Sequence, residues 1–275
     1  MQSITIGHVT VSRFLLGSNP FSTFSHQGEA MDLAMKRYFT TERIKAVLRD
    51  AETLGLTGLI ARGDHHILRL LFEYREEGGT LQWFAQTCPE LGSLARNVEY
   101  AVQGGAVACH LHGGVMDNLV ANHNTAEIPD AIAAIKAAGM IAGLAGHTPA
   151  VFRWAEEHVD ADYYMCCYYN PIPRTENPEH QRGFAETYLD EDRDAMTATI
   201  ATLRKPVIHY KVLAAGRANP ADAFAYVAQH LRPQDAVCVG IYPEQQPTML
   251  AEDVALFTAA CGYGRGKATT DQVCS

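Results

Sequence analysis

The chain has 275 residues, of which 47% are hydrophobic and 19% charged, the composition of a globular protein with a large core rather than of a disordered chain. Its net charge of −9 gives no basic footprint for nucleic acid or an anionic membrane surface. No apolar run approaches the ~20 residues of a membrane span, and the start, Met-Gln-Ser-Ile-Thr-Ile-Gly, lacks a basic segment followed by an apolar one, so a cytoplasmic protein is expected.

The length suits one eight-fold β/α barrel, roughly 250 residues, better than two small domains, and a single domain over residues 1–275 is expected. Ile4–Phe14 alternates around Gly7-His8 and predicts a short hairpin ahead of the barrel. Leu15–Pro20 reads as the first barrel strand and its exit, followed by a loop through His26 and a helix over Thr41–Leu54. Gly58–Arg62 is the second strand, delivering Asp64, His65 and His66, with its helix over Ile67–Glu77. Leu81–Thr87 is the third, followed by a helix over Leu91–Val102.

The fourth strand ends Ala-Val-Ala-Cys-His-Leu-His and then breaks at Gly113-Gly114, read as a flexible loop, before a helix over Ile128–Ala138. Met140–Ala145 is the fifth strand, delivering His147 ahead of a helix over Ala150–His158 that Pro149 can open. Asp162–Tyr169 is the sixth. A polar stretch of about twenty residues up to Tyr188 is longer than the usual connection and reads as a lid. After a helix over Asp190–Leu203, Pro206–Leu213 forms the seventh strand, Pro220–Leu231 a helix, Ala236–Ile241 the eighth strand, and Gln246–Ala260 the last helix. Eight such pairs with crossover-length connections predict a closed parallel (β/α)8 TIM barrel. Five of the seven cysteines fall in or just after strands, as reduced thiols do, and no disulfide framework is expected.

In such a barrel the carboxyl ends of the strands share one rim. They carry Asn19, Asp64, His65, His112, His147, Cys166 or Cys167, Tyr169, His209 and Lys211, with His110 one step deeper on the face of His112. A single strand-end histidine is more often bonded to a backbone carbonyl, and a strand cysteine more often a small hydrophobe. As a group, the imidazoles, thiol and carboxylate are the ligands of a zinc-like or iron-like divalent ion, and His112, His147 and Cys166 with Asp64, or His65 in its place, form the candidate set. Lys211 beside His209 is a candidate base, Schiff-base amine or anion clamp, and pairing with a carboxylate is its bland alternative. His26 and Tyr169 join Lys211 and His209 as candidate catalytic groups. Asn19, Arg62, His65, Arg174 and Arg182 are candidate substrate contacts, the last two on the expected lid.

Over most of its length the chain resembles the aldo-keto reductase superfamily. The carrying segments are Leu15–Ser18 after a hairpin, Tyr169-Asn170-Pro171 at the sixth strand, Lys211–Arg217 after the seventh, and Val239–Gln245 at the eighth. The resemblance implies a (β/α)8 barrel with a nicotinamide dinucleotide such as NADP, and an aspartate, tyrosine, lysine and histidine for hydride transfer. The family's histidine falls on His112, but Ile60 stands near its aspartate, His65 near its tyrosine, and Gln86 or Thr87 near its lysine. Its serine-asparagine pair after the fifth strand is Gly146-His147 here, and its glutamine under the nicotinamide is Cys166. A closer resemblance, carried by Asn19–Ser22, Phe24–His26, Gln86-Thr87, Ala145–His147 and Tyr164–Cys166, is to a branch of such barrels that lacks the tetrad.

The expectation is therefore a metal-dependent enzyme of isomerase, lyase or hydrolase type acting on a small polar carbonyl or sugar-like compound at the rim. A nicotinamide-dependent reductase with an altered proton donor is the alternative, and a non-catalytic binding subunit the third. No nucleic acid or membrane partner is expected, and self-association into a homo-oligomer is left open.

Overall fold

A computed structural model describes residues 1–178 and 186–262; Arg182 and the middle of the expected lid lie outside the described residues. Strands β1 (Ser3–Ile6) and β2 (Val9–Ser12) form the antiparallel hairpin, with Ile6 opposite Val9 and Gly7 turning at φ 56°. Eight parallel strands follow: β3 (Phe14–Gly17), β4 (Gly58–Arg62), β5 (Gln82–Gln86), β6 (Ala108–Leu111), β7 (Ile141–Gly146), β8 (Tyr163–Cys167), β9 (Val207–Tyr210) and β10 (Ala236–Gly240). They pair in chain order, and β10 returns to β3 with Val237 beside Phe14, so the barrel is closed. The expected fold, hairpin included, is the observed one.

The helices lie outside: α1 (Glu29–Tyr38), α2 (Thr41–Thr53), α3 (His65–Glu76), α4 (Leu94–Gln103), α5 (Gly113–Ala121), α6 (Ile128–Ala137), α7 (Pro149–His158), α8 (Asp190–Ile200), α9 (Pro220–His230) and α10 (Met249–Ala260). Side-chain caps start several of them: Thr40 on α2, Asp64 on α3, Ser93 on α4 and Asn219 on α9 each accept from a first-turn backbone N–H. None of the described helices is long and apolar enough to cross a membrane.

Two local readings are corrected. The stretch between Ser25 and Phe39 contains α1, and Gly113-Gly114 is the first turn of α5 rather than a flexible loop. These glycines are needed for close approach: a Cβ on Gly113 would stand 3.0 Å from His147 Cε1 and 3.1 Å from Tyr210 Oη, and one on Gly114 would stand 2.3 Å from the Pro178 carbonyl oxygen. The packing demand, not loop freedom, explains them.

The core has two layers. Outside the barrel wall the strands bury Leu16, Trp83, Leu144, Tyr164 and Val237 against the helices. Inside it, Leu15, Ile60, Phe84, Tyr163, Met165 and Ile208 fill the barrel, and Ile4, Ile6, Val9 and Val11 of the hairpin close its floor. With the floor plugged by apolar side chains, the polar groups are left to the opposite, carboxyl end.

Candidate active site

At the carboxyl end of the barrel a cavity of about 250 Å³ is lined by Asn19, His26, Arg62, His112, His147, Arg174 and Lys211, all candidate site residues from the sequence, together with Gln86, Glu90 and Tyr210. It shares the walls at Asn19, Phe24, His26, Arg62, Gln86, Tyr210 and Lys211 with a second cavity of about 460 Å³ that runs out between α1, β10 and α10.

Its most fully hydrogen-bonded unit is a dyad. Asp117 on α5 is buried, and its Oδ2 lies 2.6 Å from His147 Nδ1 while the same carboxylate accepts the backbone N–H of His147 at 2.9 Å. The Thr148 N–H and hydroxyl also donate to it, each at 3.2 Å. With its Nδ1 proton held by Asp117, His147 presents Nε2 as an acceptor, 3.3 Å from the Tyr210 hydroxyl. Burial lowers the His147 pKa, opposed by Asp117, and burial pushes the Tyr210 phenol well above its ordinary value. Aspartate, imidazole and phenol thus form a relay that ends on the cavity wall.

Lys211 follows directly on β9. The strand ends at Tyr210, and Lys211 turns out of it with φ 56°, after which Ala214 (48°) and Ala215 (52°) also adopt left-handed conformations. Across the cavity His26 (58°) and Thr23 (64°) do the same. Strain of this kind in non-glycine residues gathers where surrounding structure enforces it, frequently at functional sites. Among the described residues the Lys211 ammonium has neither an ion pair nor a hydrogen bond, and burial lowers its pKa, with Cys167 and Glu186 opposing. His112 Nδ1 is buried with no hydrogen-bond partner among the described residues, and burial, His147, Arg62 and Arg174 bring the imidazole down to about 3.

Other charges at the cavity are engaged. Arg62 pairs with Asp64 at 3.1 Å and with Glu90, and lies 5.0 Å over the Phe24 ring. His26 Nδ1 stands 2.8 Å from Glu186, whose carboxyl is held down to about 2 by His26 and Tyr188 against the opposing effect of burial.

Five expected site residues lie elsewhere. His209 faces the helices, fully buried, between the Tyr168 hydroxyl (3.0 Å) and Asp235 (3.3 Å), because the inner face of β9 belongs to Ile208 and Tyr210. Cys166 likewise packs in the outer layer while Met165 points into the barrel. Tyr169 is buried against Tyr188, ring centroids 5.3 Å apart, and lines neither cavity. His65 is exposed at the start of α3, 3.0 Å from Tyr100 Oη. Asp64 caps that helix through the Ile67 N–H and does not line the cavities.

The expected metal set therefore does not assemble: His112 and His147 share a cavity, but Cys166 and Asp64 do not reach it. Among the described residues no three His, Cys, Asp or Glu side chains form a group that could hold a metal ion. The basic side chains in the described wall of the larger cavity, His26, Arg62 and Lys211, all stand at the shared mouth, whereas α10 contributes Glu252 and Asp253.

The residues that the sequence reading missed are Asp117 and Tyr210. A carboxylate within the mostly apolar stretch 115–121 was the available signal for the first. The second sits one step along β9 from the residues chosen.

The architecture is an aldo-keto-reductase-like (β/α)8 barrel. It is similar to the glycerol dehydrogenase of Gluconobacter oxydans at 10% identity over 99% of both chains, with a TM-score of 0.56. An aldo-keto reductase of Bacillus halodurans in its holo form matches at 11% identity and a TM-score of 0.58, over 94% of this chain and 90% of that one. The barrel is also similar to the N-acetylmannosamine-6-phosphate 2-epimerase of Clostridium perfringens at 15% identity and a TM-score of 0.53, over 78% and 86%. At such identities the likeness is one of fold. Neither a protein-family model nor a curated protein matches the chain.

Proposed function

We propose that this barrel is an enzyme that moves a proton at the carbon beside the carbonyl group of a small anionic keto or sugar-like substrate. The observation that carries this reading is the meeting, on one 250 Å³ cavity, of the Lys211 amine, which has no ion pair among the described residues, with the Asp117–His147–Tyr210 relay.

In this mechanism neutral Lys211 takes the α-proton, and the C–H electron pair moves into an enolate. Burial favours the neutral amine, as a base working near neutral pH requires. The Tyr210 hydroxyl donates to the developing oxyanion, where a donor fixed in a water-poor site counts most. The Lys211 ammonium so formed gives the proton back: to the same carbon after exchange with solvent, which regenerates the substrate with solvent hydrogen at that carbon, or to the adjacent carbon, which gives isomerisation. His147, its Nδ1 proton held by Asp117, accepts from the Tyr210 hydroxyl through Nε2 and orients it. Arg62 and Arg174 line the same wall and hold the anionic group, Arg62 with its remaining N–H donors.

The test is proton NMR in D2O with a panel of short keto acids, hydroxy-aldehyde phosphates and keto-sugar phosphates. Protein-dependent loss of an α-C–H signal is expected, persisting after dialysis against a chelator. Lys211→Gln is expected to slow it at least 100-fold with unchanged far-UV circular dichroism. Absence of exchange across the panel, or a Lys211→Gln variant as fast as the unaltered protein, would refute the reading.

A further inference from the structure

The larger cavity holds a group that the proposed chemistry leaves unused. Asp253 on α10 is 4% exposed and lines the cavity, yet its carboxyl has no hydrogen bond or ion pair among the described residues. A carboxylate without a partner in a largely buried residue is costly to hold ionised, and a cation that meets it lowers that cost. The surrounding wall is apolar, with Met31, Met35, Met249 and Leu256 nearby in the lining. Glu252, the other charged residue that α10 adds, is acidic too, and its carboxylate is engaged by Gln246 and Thr248. The helix α10 thus adds apolar and acidic side chains to the cavity, and the basic ones in its described wall, His26, Arg62 and Lys211, are those it shares with the smaller cavity.

We infer that the larger cavity receives an apolar chain ending in an ammonium group, which donates to Asp253. Resting on the reading of the smaller cavity as the reaction site, the shared walls make this chain the tail of the substrate. The carbonyl and anionic head then lie at Lys211 and Tyr210. The substrate class is an amine-terminated aliphatic or aromatic keto acid or its close relative. Burial raises the Asp253 pKa to about 6, with Glu252 adding to the effect, so the carboxyl is mostly ionised near neutrality and an ammonium is the fitting partner.

Binding can be read without turnover, by calorimetry at pH 7.5 with hexylamine, hexanol and hexanoate as probes. Hexylamine is expected to bind at least tenfold more tightly than hexanol, and hexanoate more weakly than either. Asp253→Asn, which keeps the shape and removes a buried charge, is expected to abolish the preference for the amine. Leu256→Trp, which narrows the cavity, is expected to weaken the amine and the alcohol alike. Equal binding of amine and alcohol, a preference that survives Asp253→Asn, or indifference to Leu256→Trp overturns the assignment. Failure here with proton exchange intact leaves the reaction site standing without this tail, whereas loss of exchange with the amine preference intact removes the reaction and keeps the ammonium site.

Discussion

Asp117 shows how one carboxylate can decide the state of a histidine it does not neighbour in sequence. It receives the Nδ1 proton of His147 at 2.6 Å and two backbone N–H groups from the loop after β7, so position, tautomer and ring orientation of His147 follow from it together. Asp117→Asn keeps the shape but puts an amide that both donates and accepts where an ionised acceptor stood. We expect it to lower the exchange rate by about 10²–10⁴-fold with little change in substrate affinity, since orientation and proton transfer act mainly in the transition state. Stopped-time NMR exchange on both proteins checks this, and a rate within twofold of the unaltered protein would count against the relay. Tyr210→Phe separates the next member: loss of its oxyanion donor is expected to cost roughly 10²-fold, measured the same way.

At the level of the strand and hairpin, the site depends on what seals the other end. The β1–β2 hairpin buries Ile6 and Val11 against the barrel interior, and the close fit is visible at Gly58, where a Cβ would stand 2.2 Å from Leu15 Cδ2 and 2.6 Å from Val11 Cγ2. Both neighbours are fully buried, so neither can swing into solvent. Gly58→Ala is expected to destabilise the fold by about 1–3 kcal/mol, the usual cost of overpacking, visible as a lower urea midpoint. An unchanged midpoint would show the floor to be looser than this packing implies. The hairpin and the strand at Gly58–Arg62 were both legible in the residues, because alternation around a tight turn and an apolar run between glycines are local signals. The helix at Glu29–Tyr38 was not, since its flanks carry no strong stop and its single fully covered apolar residue is Met35.

For the molecule as a whole, the buried imidazoles set the response to acid. Burial lowers the pKa of His110 to about 3, and it lowers those of His147 and His209 as well. The unfolded chain takes up these protons near pH 6.5 while the folded one does not, so the stability they leave intact above that pH is lost as pH falls toward the folded values. His110 is fully buried, with Nδ1 3.1 Å from the Tyr163 hydroxyl and Nε2 unpartnered among the described residues. By itself it is expected to cost the fold about 2 kcal/mol at pH 5. Thermal unfolding followed from pH 7 to pH 5 is expected to show a steep fall in Tm. His110→Phe should remove about one proton from the uptake measured over that range, and an identical pH slope in the variant would contradict the assignment.

The barrel, its hairpin and the general end of the molecule where polar side chains gather were all readable from residue order. Period-two runs, glycine and proline punctuation and crossover-length helices are encoded within short stretches. Which face of each strand looks inward was not readable. In a parallel barrel both faces of a strand are covered, one by the barrel interior and one by helices, so polarity along the strand does not separate them. His209 and Cys166 were placed on the wrong side for that reason, and Tyr210 was passed over. The partners that settle the matter, Asp235 for His209 and Asp117 for His147, are 26 and 30 residues away, and only closure of the strands into a cylinder brings them within hydrogen-bonding distance.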